Sequence, residues 1–315
     1  MPNSQAEVAP HQPWMGRIGI IMSIALLGVA AYSLVRIARD LSPDQIWHAM
    51  RATSTRKLWL CGLLTGLSLA ALGCYDVLAI RMIAPRRVSS FRAWFSGVSA
   101  NAASNTLGFH AATATAMRYR LLHRKGLSGA EVAAVTAYSW STLAFGFASV
   151  LSVALMVSPT ASGWQRAVGL LLLGALLILA RWLGPGRHVA CGGREFCLPS
   201  GRMALGQMAL GAVEMAAAIG ALYTLMPAGE TASFAEFSAL YVGAVLLGIV
   251  SHAPGGIGVF EATVLAVSSA QERGTILVAL LLYRVIYNLA PFALAALAFA
   301  ADEILAAVHA RAGRG

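Results

Sequence analysis

The stretch Ser251-His-Ala-Pro-Gly-Gly-Ile-Gly-Val-Phe-Glu261 interrupts an apolar run at a depth where lipid does not tolerate irregular backbone. Proline has no backbone N–H to donate and glycine destabilises a helix interior. Pro254, Gly255, Gly256 and Gly258 are therefore expected to break a helix here. Backbone groups freed in hydrocarbon must be satisfied by surrounding protein or a water-filled cavity. Glu261 follows at once, and a carboxylate at that depth needs a partner or a polar surround. A broken helix beside a buried charge is the pattern of a transporter site. The stretch points to a chain that moves a substrate rather than makes one.

Outward from this break, apolar segments long enough to cross a bilayer run at about 18–37, 58–80, 132–157, 164–183, 203–226 and 275–300. Two more, about 92–117 and 238–271, are apolar but interrupted. The first carries Ser99, Asn101, Ser104, Asn105 and Gly108, and the second carries the Pro-Gly-Gly break. The order is span, span, broken hairpin, span, and then the same again. Three full spans per unit is an odd number, so the second unit enters the membrane in the opposite sense. The expected fold is an all-α polytopic membrane protein with about six full spans and two broken or re-entrant hairpins in an inverted repeat. Residues 1–16 read as a disordered tail. Residues 17–303 read as one transmembrane domain (repeats of about 18–157 and 164–300), and 304–315 as a short cytoplasmic tail.

Composition agrees: the chain is 58% hydrophobic and 11% charged, with a mean hydropathy of +0.70. A soluble domain carries roughly 25% charged residues. The net charge of +10 comes from arginines crowded between apolar segments. With no aromatic-basic module beside them, they suit anionic lipid headgroups and give no sign of a nucleic-acid partner. If 92–117 dips in and returns and the N-terminus lies inside, cytoplasmic segments hold 14 Lys and Arg and outer segments hold 6. The alternative, a full crossing with the N-terminus outside, gives 13 and 7, so the positive-inside rule favours the first by little. Residues 39–57, with Leu41, Ile46, Trp47 and Met50, read as an amphipathic helix that could sit on either face. Cys61 and Cys74 lie in an apolar segment, and Cys191 and Cys197 in an Arg-rich loop. Their spacing and the lack of a following His pair do not suggest a zinc site. No metal or other cofactor is called for.

Charged residues in the membrane segments are the candidate site. Asp76 lies near the end of 58–80 and could pair with Arg81 at the interface or face a pathway. Arg118, in Met-Arg-Tyr-Arg, is either a topogenic arginine or a phosphate contact. Glu214 sits mid-helix, beyond easy snorkelling reach, and reads as a buried functional carboxylate. Arg284 needs a counter-charge, and Glu261 or Glu214 could supply it, as a locking ion pair or as part of a headgroup path. Gly258 can open a half-helix whose free N–H groups suit an anion, or Glu261 can cap it. Asn105 and Gly108 mark a matching break in the first half, or a small-residue packing surface. His252, just before the break, is either proton-sensitive or a hydrogen-bonded core histidine.

These motifs resemble the transmembrane region of lysylphosphatidylglycerol synthases, the multiple peptide resistance factor, and its free-standing relatives. The resemblance rests on Ser251 to Glu261, on Leu281-Leu-Tyr-Arg-Val-Ile-Tyr-Asn-Leu-Ala-Pro291, and on Gly108-Phe109 followed by Met117-Arg-Tyr-Arg120 and Gly126-Leu-Ser. Tyr75-Asp76 and Val213-Glu214 also look like family positions, whereas Thr113-Ala114 stands where many relatives have Thr-Gly. The resemblance implies a flippase module of a bacterial inner membrane, contributing to antimicrobial peptide resistance. Its expected partner is a membrane lipid, either an aminoacyl-phosphatidylglycerol-like phospholipid or an anionic phospholipid. Asp76, Asn105, Arg118, Glu214, Glu261 and Arg284 would line the path. The family's aminoacyl-transfer domain is not expected here, because about fifteen residues follow position 300. The chain is therefore expected not to be an enzyme. The alternative is an accessory subunit presenting lipid to a separately encoded aminoacyl- or glycosyl-transferase, and a homo-oligomer is compatible with either reading.

Overall fold

A computed structural model of the chain describes residues 51, 53–107, 110–183, 188–191, 194–197, 199–227, 233–250, 258–267 and 273–312. Residues 188–191, 194–197 and 302–312 are described through the backbone alone. The N-terminal tail, the 18–37 segment and most of 39–57 lie outside the described residues. So do Gly108, His252, Pro254, Gly255 and Gly256.

The helices are α1 (Thr55–Ile83), α2 (Ser90–Leu107), α3 (His110–His123), α4 (Gly129–Val157), α5 (Gly163–Trp182), α6 (Gly201–Tyr223), α7 (Phe234–Val250), α8 (Val259–Ala266), α9 (Arg273–Tyr283) and α10 (Ala290–Ala312). A π-helical turn, Arg284–Leu289, joins α9 to α10 without interrupting the rod. Among the described residues, five helices are long and apolar enough to cross a membrane: α1, α4, α5, α6 and the rod from Arg273 to Ala301. They coincide with five of the six expected spans. The architecture is that of an all-helical membrane protein, with one difference from expectation. The Arg-rich 187–197 loop contains a two-stranded antiparallel hairpin, β1 (His188–Cys191) on β2 (Arg194–Cys197). Four-residue strands of mixed polarity show no clear alternation, so periodicity does not reveal them.

Local sequence explains where helices start. Ser128, Ser162 and Ser233 each precede a helix, and a Glu or Gln three residues on returns to the serine backbone N–H. The distances are 2.7 Å from Ser128 to Glu131, 2.7 Å from Ser162 to Gln165 and 2.8 Å from Ser233 to Glu236. At Ser128 and Ser233 the hydroxyl in turn accepts from the backbone N–H of Glu131 and Glu236, each at 3.3 Å, so the caps satisfy N–H groups that a helix end otherwise leaves bare.

The outer and inner surfaces suit lipid. Leu63, Leu171, Ile178, Leu294 and Leu297 are exposed, whereas Ser68, Ser96, Ser139, Thr142, Ser152 and Gln207 are buried. Trp164 and Trp182 are exposed at the two ends of α5. They are 18 residues apart (182 − 164), about 27 Å along a helix and close to a hydrocarbon thickness of about 30 Å. Inside, α4 and α6 cross on bare backbone. A Cβ on Gly211 would lie 2.6 Å from the Thr142 carbonyl oxygen and 2.8 Å from Gly146 Cα. Gln207 Nε2 donates across the same crossing to Thr142 Oγ1 at 2.7 Å.

Two helical hairpins enter this frame from opposite ends. At one end, Arg87 pairs with Glu131, and Val88 packs with Leu127 and Val132 in one apolar cluster. Both ends of the α2–α3 hairpin therefore lie together. At the other end, Lys57 Nζ donates to the Met226 carbonyl at 2.7 Å, and Thr160 bonds Glu236 at the start of α7. The tip of the first hairpin reaches the middle of the α9–α10 rod, where Thr106 Oγ1 donates to the Asn288 carbonyl at 3.2 Å. In the second hairpin, the first turn of α8 lies against the middle of α7, with Phe260 edge-on to Tyr241 at 5.4 Å.

Candidate functional site

The hairpins and the long helices enclose a cavity with an empty volume of about 1100 Å³, open solvent at its mouth included. Its polar lining comes from both halves of the chain: Asn101, Asn105, His110, Arg118 and Ser139 from the first, Glu214, Tyr241, Tyr283, Arg284 and Tyr287 from the second. Four of the six residues singled out in the sequence thus face one space, and the other two hold its arginines.

Arg118 on α3 is 1% exposed and Asp76 on α1 is not exposed at all. The guanidinium grips the carboxylate through Nε to both oxygens, at 3.0 and 2.9 Å, and Nη2 to Oδ1 at 2.9 Å. Ser139 on α4 adds an O–H donor to Oδ1 at 2.7 Å. The approach requires a glycine: a Cβ at Gly97 would fall 2.9 Å from the Leu72 carbonyl and 3.1 Å from Asp76. The interfacial pair with Arg81, one of the two readings of Asp76, does not form. Arg81 reaches Ser90 Oγ at 3.5 Å, while Asp76 points inward to a partner 42 residues away. A guanidinium satisfies a buried carboxylate bidentately, which a snorkelling surface arginine cannot do.

Arg284 opens the π turn and pairs with Glu261, partly buried, in the first turn of α8. Glu261 also accepts from the Gly258 backbone N–H at 2.8 Å. Gly258 has φ +87°, the left-handed region glycine adopts freely. The half-helix therefore begins after Gly258 as the sequence suggests, and its carboxylate both caps the helix and neutralises the arginine. Of the two counter-charges considered for Arg284, the geometry selects Glu261.

Glu214, in the middle of α6 and 2% exposed, has a different surround. It accepts from Ser68 Oγ at 2.9 Å, Tyr75 OH at 3.3 Å and Tyr287 OH at 3.4 Å. Among the described residues no Lys, Arg or His bonds to it. Ser68 and Tyr287 are themselves 2.7 Å apart, and the Tyr241 and Tyr283 hydroxyls meet at 2.7 Å. Tyr283 and Tyr287 stack with centroids 4.8 Å apart. The sequence reading missed this hydroxyl shell. The signal available was Tyr-Arg-x-x-Tyr in 283–287, two tyrosines four apart around a membrane arginine. Among the described residues no group of three His, Cys, Asp or Glu side chains could hold a metal ion.

Two guanidinium groups, each with a bound counter-charge, line the cavity and can contact an anion there, and Glu214 keeps a carboxylate in the same space. Known proteins give it a setting. The chain is 29% identical over 279 residues to the inner membrane protein YbhN of Escherichia coli, covering 84% of this chain and 86% of that protein. It is 29% identical over 253 residues to the uncharacterized protein slr0712 of Synechocystis, covering 73% and 74%. No family model matches the chain. The inner-membrane relative and the five apolar helices support a multi-pass inner-membrane location.

Proposed function

We propose that this protein translocates a phospholipid, of aminoacyl-phosphatidylglycerol type or another anionic lipid, between the leaflets of the bacterial inner membrane. The observation that carries the reading is the cavity where the two hairpins meet, with Arg118 and Arg284 on its wall. A phosphodiester can displace neither carboxylate cheaply, but a guanidinium presents five N–H donors in a planar fork suited to phosphate as well as carboxylate. Asp76 and Glu261 hold those arginines at a depth where an unpaired cation costs several kcal/mol. The α2–α3 and α7–α8 hairpins act as re-entrant elements of an inverted repeat, one from each face. The end bearing Arg81, Arg86, Arg87, Arg92, Arg124 and Lys125 is cytoplasmic by the positive-inside rule, and the C-terminus lies on that side. The chain works as a transporter module, and aminoacyl transfer to the lipid belongs to another protein.

The test is leaflet-resolved translocation by the purified chain in vesicles, comparing wild type with Arg284→Gln. The variant should still insert and purify while translocating at least about tenfold more slowly, as loss of one charge-assisted contact of about 1.5–3 kcal/mol in the rate-limiting state allows. An Arg284→Gln protein that is well folded and fully active would refute the phosphate role.

A further inference from the structure

Around the cavity the ionised side chains cancel in pairs, Asp76 with Arg118 and Glu261 with Arg284. Glu214 stands outside this balance, bonded only to hydroxyls. A hydroxyl both donates and accepts. Ser68, Tyr75 and Tyr287 can therefore serve a carboxylate as donors and a carboxylic acid as acceptors without any helix moving. An arginine or lysine shell would fix the charged form.

On the elements packed against Glu214 the other charged and titratable groups are bonded to partners or lie away from the cavity. From α1 come Tyr75 and Asp76, the latter held by Arg118. The π turn brings Tyr287 and Arg284, the latter held by Glu261. From α7 and α9 come Tyr241 and Tyr283, bonded to each other. α4 carries Glu131 and Tyr138, and α5 carries Arg166 and Arg181, none of which lines the cavity. His110 lines it from α3.

A phosphodiester brings one negative charge into a space whose ion pairs already sum to zero. With Glu214 ionised, two like charges would share a low-dielectric cavity. With Glu214 protonated, only the lipid's charge remains, opposite two guanidinium groups. Proton and lipid therefore favour each other's binding, and the linkage is reciprocal. The state of Glu214 is also felt by the phosphate-side machinery, because Tyr287 and Arg284 belong to one π turn. Such turns recur where a helix carries function.

We infer that Glu214 is a proton-binding site that couples lipid movement to a proton, an inference that rests on the transport reading above. One proton on the Glu214 carboxylate enters with one singly charged phosphodiester, and both leave on the opposite face. The cycle carries no net charge.

The experiment uses the full chain in phosphatidylcholine vesicles holding a trace of acyl-labelled phosphatidylglycerol, with dithionite reading the leaflets and pyranine reading internal pH. A pH step of one unit should shift the steady-state leaflet ratio of the tracer by about tenfold, the equilibrium expected for one proton per lipid. The step should be accompanied by proton movement in the same direction. A potassium–valinomycin voltage alone should leave the ratio unchanged, and Glu214→Gln should abolish the response to pH. Infrared spectra of the wild type in nanodiscs should show a protonated-carboxyl band that Glu214→Gln removes, a readout that does not depend on transport. Translocation that ignores the pH step, or follows a sodium gradient or voltage alone, would overturn the coupling and leave transport standing. Absence of the infrared band across physiological pH would do the same. No wild-type translocation under any gradient would overturn the transport reading, and the coupling with it.

Discussion

Asp76→Asn and Arg118→Gln, alone and together, test whether the buried pair locks the first hairpin against α1 and α4. Each single change strands one charge in an interior where its partner had been less than 2% exposed. Asp76→Asn removes the charge from three guanidinium contacts of 2.9–3.0 Å, and Arg118→Gln leaves Asp76 with Ser139 Oγ, at 2.7 Å, as its side-chain donor among the described residues. At about 1.5–3 kcal/mol for each charge-assisted bond, three contacts exceed the about 3–5 kcal/mol usually measured for breaking a buried pair, because the survivor relaxes and recruits water. The lower range is the expected cost of each single variant. Removing both charges leaves no stranded ion, so the double variant should lie within about 2 kcal/mol of wild type. Unfolding of the purified protein in mixed micelles titrated with dodecyl sulfate gives all four corners of the cycle. Single costs below about 1 kcal/mol would match an exposed ion pair. Such costs, or a double variant equal to the sum of the singles, would refute the reasoning.

Gly211→Ala places a methyl 2.6 Å from the Thr142 carbonyl. It should cost about 1–3 kcal/mol by forcing α4 and α6 apart, read in the same micelle titration; an unchanged midpoint would contradict the close crossing. Cysteines introduced at Val88 and Lys125 should react with an impermeant maleimide from the same side of the membrane, and labelling from opposite sides would end the re-entrant reading of α2–α3. Purified chain given aminoacyl-tRNA and phosphatidylglycerol should form no aminoacylated lipid, as measured by thin-layer chromatography; clear synthesis would place catalysis within the helices.

Among the described residues hydropathy was enough to locate the long helices, because a run of about 20 apolar residues has few alternatives to a span. The start of the half-helix after Gly258 was legible too: Gly258 can take φ +87° at no steric cost, and Glu261 lies three residues on, at capping distance. Partner choice was not legible. Asp76 has an arginine five residues away in sequence, yet it binds one 42 residues away, because the α2–α3 hairpin folds back beside α1. The shell of Glu214 draws on Ser68, Tyr75 and Tyr287, which lie 146, 139 and 73 residues from it. Serine and tyrosine are common in membrane helices, so nothing marks them before the helices are assembled. The π turn was hidden too, since Arg-Val-Ile-Tyr-Asn-Leu reads as ordinary α-helix by composition.

The central claim is that the cavity between the hairpins carries lipid headgroups across the bilayer. Purified chain reconstituted in phosphatidylcholine vesicles with a trace of acyl-labelled phosphatidylglycerol, its two leaflets counted by dithionite quenching, measures that step itself. The account predicts that the inner-leaflet tracer becomes accessible in vesicles containing wild type, and at least about tenfold more slowly in those containing well-folded Arg284→Gln. Inner-leaflet tracer that stays as protected with wild type as in protein-free vesicles, with a pH gradient applied in either direction, would contradict it.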